Sequence, residues 1–340
     1  MEQPSLSTPQ ASGLGRRTMV LSCLSLALGA IDAGNAHAAE DDGYPSRPVR
    51  LVVSYAAGNV TDLLAREVAA GLSSKWGQPV VVDNKPGTGG SLGAQAASRA
   101  TPDGYTLLFS AMAAMAVNPH VYKTVGYDPL RDFVPIVNVA YPDYILVANL
   151  QLGIKTWAEL IAYSKQHPKA LSYGTAGNGT VPHLNMEAVK LRSGLQAIHV
   201  PYRAAGAALT DLMGGQVQLQ METSAVLLPQ VKSGKVVALA TGPHRHPELP
   251  GVPTMGEVMP GYEPVIPWLG MFAPAGTSPA LVDKINQDVR EVLTRPDVKA
   301  KLAKNGLTVA DGTPLAFAAQ LRNDHERLRK MTQQLDLKLD

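Results

Sequence analysis

The residues best placed to do chemistry lie in two loops of small side chains. One reads Thr175-Ala176-Gly177-Asn178-Gly179-Thr180-Val181-Pro182-His183, the other Tyr55-Ala56-Ala57-Gly58-Asn59-Val60-Thr61-Asp62. Neither contains lysine or arginine. Glycines let the backbone turn sharply and let a ligand approach bare N–H groups. A helix that begins at such a loop adds its unpaired N–H groups and its positive dipole end. The chemistry on offer is capture of a carboxylate or phosphate by dipoles rather than by a fixed cation. On residue types alone, a second reading stays open: the glycines simply make tight turns.

Flanking side chains carry paired readings too. His183 either contacts a ligand from the first helical turn or satisfies a backbone carbonyl near the loop. Glu222, followed by Thr223, either accepts a hydrogen bond from a ligand hydroxyl, amine or water, or is a partly exposed carboxylate at a strand end. As an acceptor it would also exclude a second carboxylate. Tyr55, Met112, Met115, Tyr141 and Tyr144 either form an apolar wall or belong to ordinary core.

Covalent, metal and nucleotide chemistry find little support. There is no G-x-S-x-G, no P-loop lysine and no H-E-x-x-H. His244-Arg245-His246 is the one close histidine pair, and it stands in a proline-rich stretch. Gly87-Thr88-Gly89-Gly90 follows a strand, but Leu92 occupies the third glycine position of a dinucleotide loop. The expectation is a binding protein, not an enzyme, with no cofactor and no metal.

Both loops need the same support: a strand that ends at the loop and a helix that starts after it. Val49 to Ser54 is apolar without alternation, as in a strand buried on both faces. A helix follows, capped by Asn59 or Thr61, with Leu63, Leu64, Val68 and Leu72 at helical spacing. Strands at Val80–Val82 and Tyr105–Phe109, with a helix over Leu92–Ala100, imply a parallel sheet with right-handed crossovers. The third strand runs into Ser110-Ala111-Met112-Ala113-Ala114.

A second α/β unit repeats the grammar. Its strands are Ile145–Ala148, Ala170–Tyr173, Ala197–Val200, Val217–Met221 and Val236–Ala240. Its helices are Thr156–Lys165, opened by a capping box of Thr156 and Glu159, then Val181–Leu191, Ala207–Met213 and Ala225–Lys232. Val134–Val139 carries the chain out of the first unit and Val265–Ala273 brings it back; Ala280–Leu293, Pro296–Lys304 and Pro314–Leu335 are helical. The expected fold is therefore α/β, with lobe 1 made of 44–141 plus 265–340 and lobe 2 of 142–264. Two crossings form a hinge. Ligands bind outside the carboxyl ends of parallel strands, so the cleft candidates are the loops at 54–61, 110–114, 175–183 and 222–225.

The 340 residues are 45% hydrophobic and 17% charged, with a net charge of +2, which argues for two globular domains and against nucleic acid as partner. Residues 1–38 read as an export signal peptide. Arg16-Arg17 precede an apolar run from Met19 to Ile31, and Ala36-His37-Ala38 is a cleavage signal. Gly15-Arg16-Arg17-Thr18-Met19-Val20 fits twin-arginine export in part, and general secretion equally well. Cys23, the one cysteine, falls in the leader, so the mature chain has no disulfide and no thiol nucleophile.

In combination and in order, the motifs resemble the Bug-type (TctC-like) extracytoplasmic receptors of tripartite tricarboxylate transporters. The residues that carry the resemblance span nearly all of the mature chain. They include Tyr44-Pro45-Ser46-Arg47-Pro48-Val49, Gly77-Gln78-Pro79-Val80-Val81-Val82-Asp83-Asn84-Lys85-Pro86-Gly87-Thr88-Gly89-Gly90 and Pro102-Asp103-Gly104-Tyr105. Ala176-Gly177-Asn178-Gly179-Thr180 with His183, Val200-Pro201-Tyr202-Arg203, Ala208-Leu209-Thr210-Asp211-Leu212 and Ala273-Pro274-Ala275-Gly276-Thr277 complete the set.

The resemblance implies a periplasmic solute-binding protein of the type II-like fold, closing as a Venus flytrap on a dicarboxylate, tricarboxylate or aromatic acid. Tyr55 to Asp62 and Thr175 to His183 would hold a carboxylate largely through N–H groups and ordered water. Partners would be the transporter's membrane subunits, or a sensor kinase, around a monomeric receptor; an exported hydrolase is the other alternative. Two stretches depart from the family's form. Asn59 stands where a glycine is usual, in a first loop without its two prolines, and Met221-Glu222-Thr223 stands where Phe-Asp-Asn is common.

Overall fold

A computed structural model describes residues 43–338. The chain divides at Tyr44/Pro45, and all that follows concerns the unit from Pro45 onward. Its eleven strands are β1 (Val49–Val53), β2 (Val80–Asn84), β3 (Thr106–Ala111), β4 (Phe133–Pro142), β5 (Tyr144–Asn149), β6 (Ser172–Thr175), β7 (Ile198–Pro201), β8 (Leu219–Thr223), β9 (Val236–Thr241), β10 (Leu269–Pro274) and β11 (Leu307–Val309). They form two sheets with helices packed on them, ordered β11-β4-β10-β3-β1-β2 and β7-β6-β8-β5-β9.

Each sheet contains a parallel trio built by helical crossovers. In the first, β1 pairs in parallel with β2 and β3; in the second, β6 pairs in parallel with β7 and β8. The expected parallel arrangement of the first three strands is thus observed. Beyond each trio the pairing reverses. β10 lies antiparallel between β3 and β4, and β5 lies antiparallel between β8 and β9. Both reversed strands arrive from the other sheet's part of the chain, so neither has a crossover helix to bring it in parallel. The two sheets are joined with no slack at Asp143, the single residue between β4 and β5.

Asp143 is tied on three sides. Its N–H donates to the carbonyl of Gly306, its carbonyl accepts from the Ser224 N–H, and Thr308 Oγ1 donates to its carboxylate. Gly306 is obligatory here: its φ is +64°, and a Cβ would stand 2.0 Å from Ser224 Oγ.

Local sequence accounts for the elements that flank the loops. In β1, Leu51, Val52 and Val53 are all buried, as a strand covered on both faces requires. The helix Val60–Trp76 buries Leu64, Val68 and Leu72, stops at Gly77 in the left-handed conformation, and leaves Leu63 46% exposed, unlike the expected apolar stripe. Thr156 and Glu159 form the expected capping box. Below the first sheet, Trp268 meets Phe317 edge-on at 5.0 Å and donates its indole N–H to Asp324. Val181 and Leu184, from the helix Val181–Ser193, pack into that same cluster with Met112, Met115 and Trp268.

Candidate ligand-binding site

β6 ends at Thr175, and the chain turns through Ala176–Thr180 before the helix Val181–Ser193. Gly177 and Gly179 take φ values of +123° and +74°, which only glycine adopts cheaply. Thr180 occupies the N-cap position in extended geometry but makes no side-chain cap. Its hydroxyl turns back and donates to the carbonyl of Gly177 at 2.8 Å. The helix therefore begins without the oxygen that a threonine N-cap ordinarily supplies. The N–H groups of Gly177 and Gly179 point inward, to Thr175 Oγ1 at 3.2 Å and His183 Nδ1 at 3.1 Å. Those of Asn178 and Thr180 have no protein partner among the described residues. Asn178 is exposed, Ala176 and Thr180 half-buried, and Gly179 buried.

Behind the loop lies a stack of rings. His183 and His199 are parallel at 4.0 Å, and His199 stacks on Tyr173 at 4.9 Å. His199 Nε2 meets Thr175 Oγ1 at 2.7 Å. His183 thus spends its Nδ1 on a backbone N–H, the reverse of the carbonyl contact that residue types suggested. Burial lowers the pKa of both imidazoles, with His199 pushed down to about 4 by burial and by its histidine neighbour. Tyr173 donates to Glu187, which also pairs with Lys190 at 2.6 Å.

The first loop is built differently. Asn59 is the N-cap of Val60–Trp76, its Oδ1 accepting from the Thr61 N–H at 2.8 Å. Asp62 is buried and wholly committed. Its carboxylate accepts from the Gly58 N–H at 2.8 Å, from Asn84 Nδ2 at 2.8 Å and from Arg66 at 3.0 Å. Burial raises its pKa, but these bonds outweigh burial and hold it below the usual carboxylate range. Ala57, Gly58 and Asn59 remain exposed at the tip. The Tyr55 hydroxyl donates to the carbonyl of Gly89 at 3.0 Å.

The remaining named residues close the ends of neighbouring strands. Ser110 is buried and shares a 2.8 Å hydrogen bond with Ser54. Met112 and Met115 are buried in the core cluster, and Ala113 opens a π-helical turn over Ala113–Val117. Glu222, at 7% exposure, is buried rather than partly exposed, and its Oε1 accepts from the Thr223 N–H at 2.8 Å. Burial raises its pKa. Tyr144 packs on the clusters under both sheets, and its pKa is raised by burial and then by the nearby Glu222 and Tyr55. The strand pairing agrees for β5 and β8, with Tyr144 opposite Thr223 and Ile145 opposite Glu222. Residue types missed His199 and Asn84, which act on the loops from strands β7 and β2. The signal each leaves in the sequence is a polar side chain in a short apolar run, His199 within β7 and Asn84 at the end of β2.

The model of the tripartite tricarboxylate transporter family receptor matches residues 64–337. The chain belongs to that receptor family. Other receptors and relatives agree with this. BugT of Bordetella pertussis is 35% identical over 286 residues, covering 83% of this chain and 87% of its own. The Rpa4515 protein of R. palustris, solved with adipate, is 33% identical with a TM-score of 0.75, over 85% of this chain and 97% of its own. MatC of Rhodopseudomonas palustris, solved with bound malate, is 30% identical with a TM-score of 0.71, over 85% and 99%. The receptor is thus a periplasmic solute-binding protein with two α/β sheets, as the sequence resemblance implied.

Proposed function

We propose that this receptor captures a small carboxylate in the periplasm and delivers it to the membrane subunits of a tripartite transporter without chemical turnover. The observation that carries the reading is the start of the Val181–Ser193 helix. Its N-cap hydroxyl is turned away onto Gly177, and the Asn178 and Thr180 N–H groups have no protein partner among the described residues. One carboxylate would satisfy these donors and the helix dipole together. The malate and adipate bound by its relatives are ligands of this class.

In this reading the mature monomer divides into lobe 1 (44–141 plus 265–340) and lobe 2 (142–264), which close about Asp143 and the returning segment before β10. Tyr55 to Asp62 and Thr175 to His183 are the two jaws. Ala113, Glu222 and Thr223 stand at the strand ends between them, with Ser110 and Met112 buried beneath that surface. Residues 1–38, the proposed export leader, lie outside the described residues.

A thermal-shift panel of dicarboxylates, tricarboxylates, aromatic acids and amino acids tests the reading. One group of carboxylates should raise Tm, with no product formed. A panel without a single response would overturn it.

A further inference from the structure

The stacked histidines behind the Thr175–His183 loop reach its two shaping glycines, His183 directly and His199 through Thr175, and the binding reading gives their rings no role of their own. Three observations converge. His183 Nδ1 accepts the Gly179 N–H at 3.1 Å, so the ring must be neutral with its proton on Nε2. His199 Nε2 lies 2.7 Å from Thr175 Oγ1, the oxygen that also takes the Gly177 N–H at 3.2 Å. The Gly177 carbonyl accepts from both the Thr175 and Thr180 hydroxyls, at 3.1 and 2.8 Å. The arrangement that satisfies every group has His199 donating its Nε2 proton to Thr175, and Thr175 donating onward to Gly177. The stack, whose rings lie 4.0 Å apart at 14°, thus holds the Gly179 N–H directly and the Gly177 N–H through Thr175 Oγ1.

We propose that His183 and His199 are positioning residues for ligand capture: as a neutral stack they lock Gly177 and Gly179 in the shape that presents the Asn178 and Thr180 N–H groups, and protonation of His183 unlocks it. This rests on the reading of that loop as the carboxylate holder. A protonated His183 carries N–H on both ring nitrogens, so it meets the Gly179 N–H donor to donor. The peptide must then turn, and the neighbouring N–H groups turn with it.

The surroundings set the direction of the pH effect. The groups facing the pair are Tyr173 on β6, and Glu187 and Lys190 on the helix itself. Glu187 favours the imidazolium, but its charge is already shared with Lys190 and the Tyr173 hydroxyl. Burial dominates and disfavours the charged form at both rings. A histidine whose folded pKa is depressed leaves the arrangement intact above its ordinary value, near 6.5. The arrangement is strained progressively as pH falls below that value. His183 also pushes the His199 pKa down, so the two rings resist being charged together.

The variants separate positioning from mere packing. An asparagine at 183 can place its Oδ1 where Nδ1 stands, keeping an acceptor that does not titrate; leucine removes the acceptor. A glutamine at 199 likewise replaces Nε2. Two readouts are used: the Gly179 amide resonance of the ligand-free mature protein from pH 8 to 5, and affinity for whichever panel carboxylate raises Tm most. The wild-type Gly179 amide should titrate together with the His183 ring, and affinity should fall by about two- to fivefold between pH 7.5 and 5.5, less than the roughly tenfold a histidine of ordinary pKa would give. His183→Asn should bind at pH 7.5 and lose both pH dependences. His199→Gln should keep the Thr175 contact and bind at pH 7.5, whereas His183→Leu should bind weakly at every pH. A Gly179 amide that ignores pH, or an equal acid loss in His183→Asn, would overturn the proposal. If no carboxylate binds, the binding reading fails, and the amide titration still decides whether the histidines brace the loop.

Discussion

The Thr180 hydroxyl donates to the carbonyl of Gly177 at 2.8 Å and leaves the helix it begins uncapped. In a purely structural loop that choice is wasteful, because a threonine N-cap that bonds its helix contributes about 1 kcal/mol. A charged cap should reveal the trade. In Thr180→Asp the carboxylate can bond the first-turn N–H groups and interact favourably with the positive end of the helix dipole. The expected outcome is stability raised by about 0.5–1.5 kcal/mol, read by denaturant unfolding, with the carboxylate response lost. A stabilised variant that still binds would remove the helix terminus from the site.

Gly179 sits at φ +74° and is buried. A β-branched side chain there pays for left-handed backbone and crowds the His183 contact. Gly179→Val should abolish ligand-induced stabilisation while unfolding cooperatively, with stability reduced by about 1–3 kcal/mol. Full retention of affinity would show that the loop need not hold its observed shape.

Asn59 is expected to govern which ligand is taken rather than whether one is. It is exposed at the tip of the first loop and caps the Val60–Trp76 helix through Thr61. Asn59→Gly costs only a few tenths of a kcal/mol, about the difference between asparagine and glycine caps. The order of responses across the carboxylate panel should change while Tm of the free protein stays nearly constant. An unchanged order would place ligand selection elsewhere.

Glu222 is a buried carboxylate whose charge helps to raise the Tyr144 pKa. Its anion would repel a second ligand carboxylate and attract a ligand hydroxyl or amine. In Glu222→Gln, at pH 7.5, dicarboxylates should gain affinity by roughly tenfold relative to hydroxy or amino acids of similar length, a shift of about 1.4 kcal/mol. Equal changes for both groups would show that Glu222 does not face the ligand.

Much of this was readable from the chain because local signals and global fold agree. The loop-then-helix grammar located both strand–loop–helix units, and Asn59, Gly77, Thr156 and Glu159 mark helix ends by their own chemistry. Strand direction was not readable for β10 or β5. Their apolar runs look like any buried strand, and their pairing depends on which part of the chain returns beside them. β11 is three residues long with one buried apolar side chain, too short to show a period. The roles of Asp62 and His199 were hidden for another reason. Asp62 looks like a ligand group until Arg66, Asn84 and Gly58 are seen to consume its oxygens, and His199 reaches the loop only through Thr175. Leu63 fits the helical spacing yet faces solvent, because the stripe that packs runs through Leu64, Val68 and Leu72.

The central claim is that a ligand carboxylate docks on the free N–H groups at the start of the Val181–Ser193 helix. The most direct measurement is an amide correlation spectrum of the ¹⁵N-labelled mature receptor, titrated with the panel carboxylate that raises Tm most. The Asn178 and Thr180 amide protons should move downfield to saturation with the same Kd as the thermal response, while Gly177 and Gly179 keep their internal hydrogen bonds. Saturable binding that leaves the Asn178 and Thr180 amides unmoved would contradict the account.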